Sequence, residues 1–314
     1  MPPSPSPLDA APLFFLIGET AVGKTALALE VAERAGAEIV SLDAMLVYRG
    51  MDVGTAKPTA ADRARVAHHA LDLVDPPVSY DAPAYLADAG RALAAIHARG
   101  RRALFVGGTA FYLRALVHGL FAGPDPDPAL RAALVARARA EGGAALHAEL
   151  AAVDPRAAAR IHPHDEKRLV RALEVLAQTG RPISAWQREW GWDGGEAAGR
   201  PRTIVGIFRD PRTLEARIRG RTRAMLERGW VEEARAIRDG VGFGPTSIQA
   251  LGYREVLALA DGAASQAETE ERIVRRTRQL ARRQRTAFRS FAGTRWVDLD
   301  APDAAGRALA ALGW

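Results

Sequence analysis

Pro12 to Ile17 (PLFFLI) is an unbroken apolar run, ended by Gly18 and followed by TALALEVAERAG, whose apolar positions recur at helical spacing. That order predicts strand, loop and helix. Ala37 to Asp43 (AEIVSLD) predicts a second strand ending on a carboxylate, and residues 84–99 a helix. Arg102 to Val106 (RALFV) predicts a third strand that runs into Gly107-Gly108-Thr109. Strands alternating with helices predict an α/β fold, a parallel sheet flanked by helices whose ligands sit at the carboxyl ends of the strands. Lys24, Asp43 and Thr109 all fall at such ends.

The pattern changes at Gly119. GPDPDP breaks the chain, and residues 129–180 are alanine-rich and helical in period, with no strand-like run. Strand character returns with Arg202 to Phe208 (RTIVGIF) after the loop WGWDGGEAAGRP. We therefore expect an all-helical insertion domain at 119–201 inside a core made of 12–118 and 202–314. Helices dominate to residue 291, and RWVDLD predicts a last edge strand. Residues 1–11 are rich in proline and serine and carry neither a basic nor an apolar leader, which predicts a disordered N-terminus on a cytoplasmic protein. No apolar run approaches the roughly 18 residues of a membrane span, and no internal repeat is present.

Composition narrows the chemistry. With 314 residues the chain has length for about two domains of ordinary size. The absence of cysteine excludes disulfides, thiolate metal sites and cysteine nucleophiles. Of seven histidines, His68 and His69 are adjacent and the others scattered, without metal-ligand spacing. The net charge is +6, and the only lysines are Lys24, Lys57 and Lys167, so the positive charge is almost all arginine. Guanidinium binds phosphate through a planar fork, which suits a nucleic-acid partner, although base composition of the gene is an alternative source of the bias.

Gly18-Glu19-Thr20-Ala21-Val22-Gly23-Lys24-Thr25 matches the phosphate-loop pattern, with a strand before it and a helix after it. Such a loop turns backbone N–H groups toward a phosphate at a helix N-terminus, Lys adds a point charge, and the Thr25 hydroxyl suits Mg2+. The expected core is thus like that of the phosphate-loop (P-loop) NTPases. The motif specifies a di- or triphosphate and not ATP. A kinase or ATPase also needs a magnesium carboxylate and a group that orients the nucleophile. Asp43 suits the first role, but the third strand ends in Gly-Gly-Thr without an acid.

The stretch Asp43-Ala44-Met45-Leu46-Val47-Tyr48-Arg49-Gly50-Met51-Asp52-Val53-Gly54-Thr55-Ala56-Lys57-Pro58 closely resembles a signature of the tRNA dimethylallyltransferases. Further matches follow in order: His68-His69 with Leu71-Asp72 and Asp75-Pro76, Gly107-Gly108-Thr109 with Tyr112-Leu113, Ile161-His162-Pro163 with Asp165, and Arg171-Ala172-Leu173-Glu174-Val175 with Thr179-Gly180. Leu251-Gly252-Tyr253 and Arg283-Gln284 with Thr286 and Arg289 complete a resemblance that covers residues 12–290. The chain departs from the family at Glu19 and Val22, where proline and serine are frequent, at Ala44, where serine is usual, at Ala110, where glycine is frequent, and at Leu280 and Ala287, where tyrosine and tryptophan are common.

The resemblance implies transfer of a dimethylallyl group from dimethylallyl diphosphate to N6 of adenosine 37, beside the anticodon, with Asp43 as general base and Thr109 orienting the amine or the diphosphate. It implies that residues Gly18 to Thr25 hold the departing diphosphate with Mg2+ on Thr25. Arg217 and Arg221, one helical turn apart, suit a diphosphate clamp or equally a solvated basic face. The implied tRNA contacts are Asp43, Ala44, Met45, Leu46 and Thr109; Arg131; Lys167, Arg168, Leu169, Val170 and Arg171; Gln249, Ala250, Leu251, Gly252, Tyr253 and Arg254; and Arg282, Arg283, Gln284, Arg285, Thr286, Ala287, Phe288 and Arg289. On the helix expected at 269–290, Ile273, Thr277, Leu280, Ala281, Gln284 and Phe288 form the apolar side, and Arg275, Arg278, Arg282, Arg285 and Arg289 a second stripe suited to phosphates. A monomer is expected. A phosphate-loop kinase and a noncatalytic RNA-binding module remain the alternatives.

Overall fold

The computed structural model describes Leu8, residues 11–120, 123–189 and 200–314. By its internal contacts the chain forms two compact units, Met1–Val117 with Arg200–Trp314, and His118–Gly199. The expected disordered N-terminus and the loop expected before Arg202 lie largely outside the described residues. Leu8 is described and buried, with Gly90 beside its Cγ.

The first unit opens with β1 (Leu13–Gly18), α1 (Lys24–Ala35), β2 (Ala37–Leu42), α2 (Ala60–Arg65), β3 (His68–His69), α3 (Ala82–Ala98), β4 (Arg102–Gly107) and α4 (Ala110–His118). The second unit holds α5 (Pro128–Glu141), α6 (Gly143–Val153), α7 (Pro155–Ala158), α8 (Glu166–Thr179) and α9 (Ile183–Glu189). The chain then returns through β5 (Arg202–Phe208), α10 (Pro211–Glu227), α11 (Trp230–Asp239), α12 (Tyr253–Ala260), α13 (Gln266–Arg289), β6 (Arg295–Asp298) and α14 (Ala304–Leu312).

The six strands form one parallel sheet in the order β3-β2-β4-β1-β5-β6. A parallel sheet covered on both faces reads as continuous apolar runs. β1 does so, with Phe15, Leu16 and Ile17 fully buried, each stabilising the fold by about 1.5–3 kcal/mol. Register decides what meets at the carboxyl edge: Leu42 of β2 pairs with Gly107 of β4, and Ile17 of β1 pairs with the same Gly107. The residues that follow, Gly18, Asp43 and Gly108-Thr109, therefore emerge side by side. β6 is the expected edge strand. β3 is two residues long, too short for a periodic signal, and its only sequence trace is the His68-His69 pair.

Helix starts are set by local chemistry. α5, α7 and α10 each begin at an Asp-Pro pair, in which Asp127, Asp154 and Asp210 accept backbone N–H bonds and proline occupies the first turn. α13 begins with a capping box between Ser265 and Glu268 and runs 24 residues, three residues earlier than the spacing predicts. In the second unit Leu134, Leu146, Leu150, Leu169 and Leu173 make a separate small core. Among the described residues it contains no strand.

Candidate active site

The loop after β1 enters α1 with Ala21 at φ 63° and Gly23 at φ 114°. Gly23 is required there, because a side chain is strained at that angle. The first N–H groups of α1 have no helical partner and face out of its N-terminus, the geometry that binds phosphate. Lys24 Nζ donates to the carbonyls of Gly18 and Glu19 at 2.8 Å each. Burial lowers its ammonium to about 8; Arg221 pushes the same way, and Asp43 and Glu19 oppose it. Arg221 is itself held below its usual value, first by burial and then by Arg228 and Arg217, with Asp43 opposing.

Asp43 follows β2 directly. Its Oδ1 accepts the Met45 N–H at 2.8 Å, a turn that fixes the carboxylate without capping a helix. Thr109 Oγ1 accepts the Ala44 N–H at 3.1 Å, and the Thr109 N–H donates to Leu42 O at 3.1 Å. These bonds set Asp43 and Thr109 next to each other at adjacent strand ends. Among the described residues the hydroxyl proton of Thr109 and the second carboxylate oxygen of Asp43 have no hydrogen-bond partner, which leaves them for a substrate. Beneath them Tyr85 stacks on Tyr112 at 3.9 Å and donates to Ser41 O at 2.9 Å. Both phenols are pushed above their usual range by burial, each also by the Asp43 charge.

Lys24, Asp43, Thr109, Arg217 and Arg221 open into one cleft of about 1060 Å3 within the first unit. Its phosphate end is lined by Thr20, Gly23, Lys24, Thr25, Arg217 and Arg221, and its middle by Asp43 and Thr109. Its remaining wall is largely apolar, with Met45, Leu46, Leu71, Met225, Trp230 and Leu280. Thr25 is exposed at the phosphate end, and Ser41 Oγ, buried in the same cleft, has no hydrogen-bond partner among the described residues. With Asp43 they are hard oxygens on one cleft, the donor type that suits a small divalent cation.

Two anchoring residues escaped the sequence reading. Glu233, in the first turn of α11, accepts the N–H groups of Asp52, Val53 and Gly54 at 2.8, 2.6 and 3.0 Å and the Tyr253 hydroxyl at 2.7 Å, which fastens the wall formed by Gly54 and Thr55. Arg209, just after β5, donates to Val22 O at 2.7 Å from the far side of the loop and pairs with Asp300. An acid opening α11 and an arginine ending β5 carry no local signal of partners some 180 residues away.

The IPP transferase family matches residues 46–291, and the isopentenyl transferase family matches residues 11–71. This chain belongs to the IPP transferase family. It is 45% identical over 302 residues to a tRNA dimethylallyltransferase of Stenotrophomonas maltophilia, covering 93% of this chain and 94% of that one. It is 47% identical to a tRNA dimethylallyltransferase of Methylibium petroleiphilum, covering 94% and 91%. The crystal structure of a full-length tRNA isopentenylpyrophosphate transferase from Bacillus halodurans superposes with a TM-score of 0.68 at 34% identity, covering 96% and 94%. Membership disfavours a kinase, whose support was the phosphate loop and the position of Asp43.

Several expected tRNA contacts need correction. Leu169 and Val170 lie in the core of the second unit, and Tyr253 and Phe288 are fully buried in the first, so their side chains meet no external partner. Gly252 is also buried. Arg131 and Arg171 both bind Glu174, at 2.6 and 2.7 Å, and Glu174 has no exposed side-chain surface. Burial alone would raise the Glu174 carboxyl, but hydrogen bonds from the two guanidiniums hold it below the usual carboxylate range. Lys167 and Arg168 are exposed, with Arg168 3.4 Å from Asp165. On α13 the buried stripe is Thr269, Ile273, Val274, Ala281 and Phe288, while Thr277, Leu280, Gln284 and Ala287 line the cleft. Arg278 pairs with Glu215 at 2.9 Å and Arg285 with Glu19 at 2.8 Å. Glu19 itself has a buried carboxylate turned to that arginine, so no diphosphate contact falls to its side chain. Arg275, Arg282, Arg283 and Arg289 are exposed and carry no ion pair among the described residues, as are Thr286, Arg254 and Gln249, whose amide donates to Pro245 O.

Proposed function

We propose that this chain transfers a dimethylallyl group from dimethylallyl diphosphate to N6 of adenosine 37 in tRNAs that read codons beginning with U. The products are N6-(dimethylallyl)adenosine and diphosphate. The observation that carries the reading is a phosphate cradle and an Asp43–Thr109 pair opening into one cleft of a chain in this family. The adenine enters unstacked, as a base must for chemistry on its edge. The bond from N6 to C1 of the donor forms as the C1–O bond breaks, and the electron pair leaves with the diphosphate. Asp43 takes the N6 proton, and the Thr109 hydroxyl donates to the diphosphate or orients the amine. Lys24, Arg217, Arg221 and the N–H groups at the start of α1 neutralise the charge that develops on the leaving group.

Mg2+ is assigned to Thr25, with Ser41 and Asp43 as further oxygens that line the same cleft, and when bound it supplies further charge neutralisation to the diphosphate. The tRNA anticodon stem-loop is assigned to the exposed arginines of α13, to Gln249 and Arg254, and to Lys167 and Arg168 of the second unit. The chain is assigned as a monomer in the cytoplasm; no described helix is long and apolar enough to cross a membrane.

Incubation with unmodified tRNA, dimethylallyl diphosphate and Mg2+, followed by mass spectrometry of the digested RNA, should show one N6-prenyl adenosine per tRNA. Absence of that adduct, or phosphate transfer from ATP in its place, would remove the proposal. Asp43→Ala should cut turnover by about 10²–10⁴-fold while tRNA affinity is retained.

A further inference from the structure

Each of the four loop residues from Glu19 to Val22 has a partner outside the loop. Glu19, whose side chain is 2% exposed, receives two hydrogen bonds from Arg285, at 2.9 and 2.8 Å. The Thr20 N–H donates to Gln284 Oε1 at 2.8 Å, and Gln284 Nε2 donates to Gly108 O at 2.9 Å. Arg217 Nε donates to Ala21 O at 2.9 Å and Arg209 Nε to Val22 O at 2.7 Å. Gly108 leaves the room for this contact, since a Cβ there would stand 2.5 Å from Gln284 Nε2.

The loop needs holding. Ala21 has φ 63°, a conformation that costs a non-glycine residue energy and persists only where its surroundings over-determine it. Glutamate at position 19 leaves φ free where a proline would fix it. The Glu19–Arg285 fork and the Gln284 bridge supply the missing rigidity from α13, more than 260 residues along the chain.

We propose that Gln284 and Arg285 are positioning residues for the diphosphate, acting through Thr20 and Glu19, and that neither contacts tRNA. This rests on residues 18–25 being the diphosphate cradle, and the test separates the two. Binding of inorganic pyrophosphate with Mg2+ is measured by calorimetry on the full chain, alongside donor KM, kcat and tRNA affinity at several salt concentrations. Arg285→Met leaves the Glu19 carboxylate buried and unpaired. It should weaken pyrophosphate binding and raise donor KM by about tenfold or more, the range for losing a hydrogen bond to a charged group, with a smaller change in kcat. tRNA affinity and its salt slope should not change.

Adding Glu19→Gln to Arg285→Met should recover most of the loss, because it removes the unpaired charge. Gln284→Leu should show a smaller loss in the same two measurements. It and the double variant carry the test if Arg285→Met alone does not fold. Unchanged pyrophosphate binding in Gln284→Leu and in Arg285→Met, while the wild type binds, overturns this assignment alone. A tRNA salt slope reduced by about 0.7 in Arg285→Met returns that residue to the RNA face. A wild type that binds no pyrophosphate overturns the cradle and this assignment with it.

Discussion

The arginines around Glu174 in the second unit and those on the outer face of α13 look alike in the sequence, yet they do different physical work. Arg131 and Arg171 converge on a carboxylate with no exposed surface, which also accepts the Asp127 N–H at 3.1 Å. Arg275, Arg282 and Arg289, spaced seven residues apart, are exposed and have no ion pair among the described residues. A buried carboxylate outcompetes an external phosphate for a nearby guanidinium, because leaving it unpaired in low dielectric costs more than a solvated contact returns. Arginine number is therefore a poor guide to an RNA face, and the distribution of buried acids is a better one. Glu19 teaches the same lesson within the first unit, where it withdraws Arg285 from a stripe that helical spacing alone assigns to phosphate.

The largest effect should come from breaking the buried side of this contrast. Changing Arg131 and Arg171 together to Met leaves Glu174 without a cation and should destabilise the fold by about 3–5 kcal/mol, read by thermal or urea unfolding. Adding Glu174→Met should restore most of that stability. A double variant as stable as the wild type would show that the two arginines are free for another partner. The exposed side should behave in the opposite way. Arg275, Arg282 and Arg289 changed together to Gln should alter stability by no more than about 0.5 kcal/mol. The slope of log K for tRNA against log salt should fall by about 2, which is roughly a hundredfold loss of affinity near 0.1 M salt, on about 0.7 per contact for a single strand. An unchanged slope would make this stripe a solvated face.

What was legible in the sequence was what local chemistry dictates. Glycine spacing, the apolar run before it and the helical period after it located the phosphate loop. Short apolar runs ending in Asp43 and in Gly107-Gly108-Thr109 located the strand ends that meet beside it. The helical period of α13 was also legible, but period does not say which neighbour each face meets. Leu280 and Gln284 therefore read as core and turned out to line the cleft, as does Ala287. Four of the positions where this chain departs from the family, Ala44, Ala110, Leu280 and Ala287, line that cleft, so the aromatic groups frequent at the last two are missing from the cleft itself. Glu233, Arg209 and the inward-facing Gln284 and Arg285 were not legible, because each acts on a partner at least 179 residues away and sits in a segment that reads as ordinary helix or strand end.

A smaller effect separates cations inside the cleft from those on α13. Burial brings Lys24 down to about 8, whereas a solvated guanidinium stays charged throughout the accessible range. The form of Lys24 that binds a diphosphate is the ammonium, present below that pKa and lost above it. Donor kcat/KM reports ionisations of the free protein. It should therefore be level below pH 7 and fall about tenfold between pH 7 and pH 9 if a single proton is lost with a pKa near 8. tRNA affinity measured over the same interval should stay level, since no arginine of the α13 face titrates there. Lys24→Arg should remove the inflection from donor kcat/KM at the cost of a lower plateau, because a guanidinium stays protonated but does not reproduce the compact point charge. If the inflection persists in Lys24→Arg, its source is another group in the cleft, and the contrast between a titratable interior and a fixed basic exterior fails at this residue.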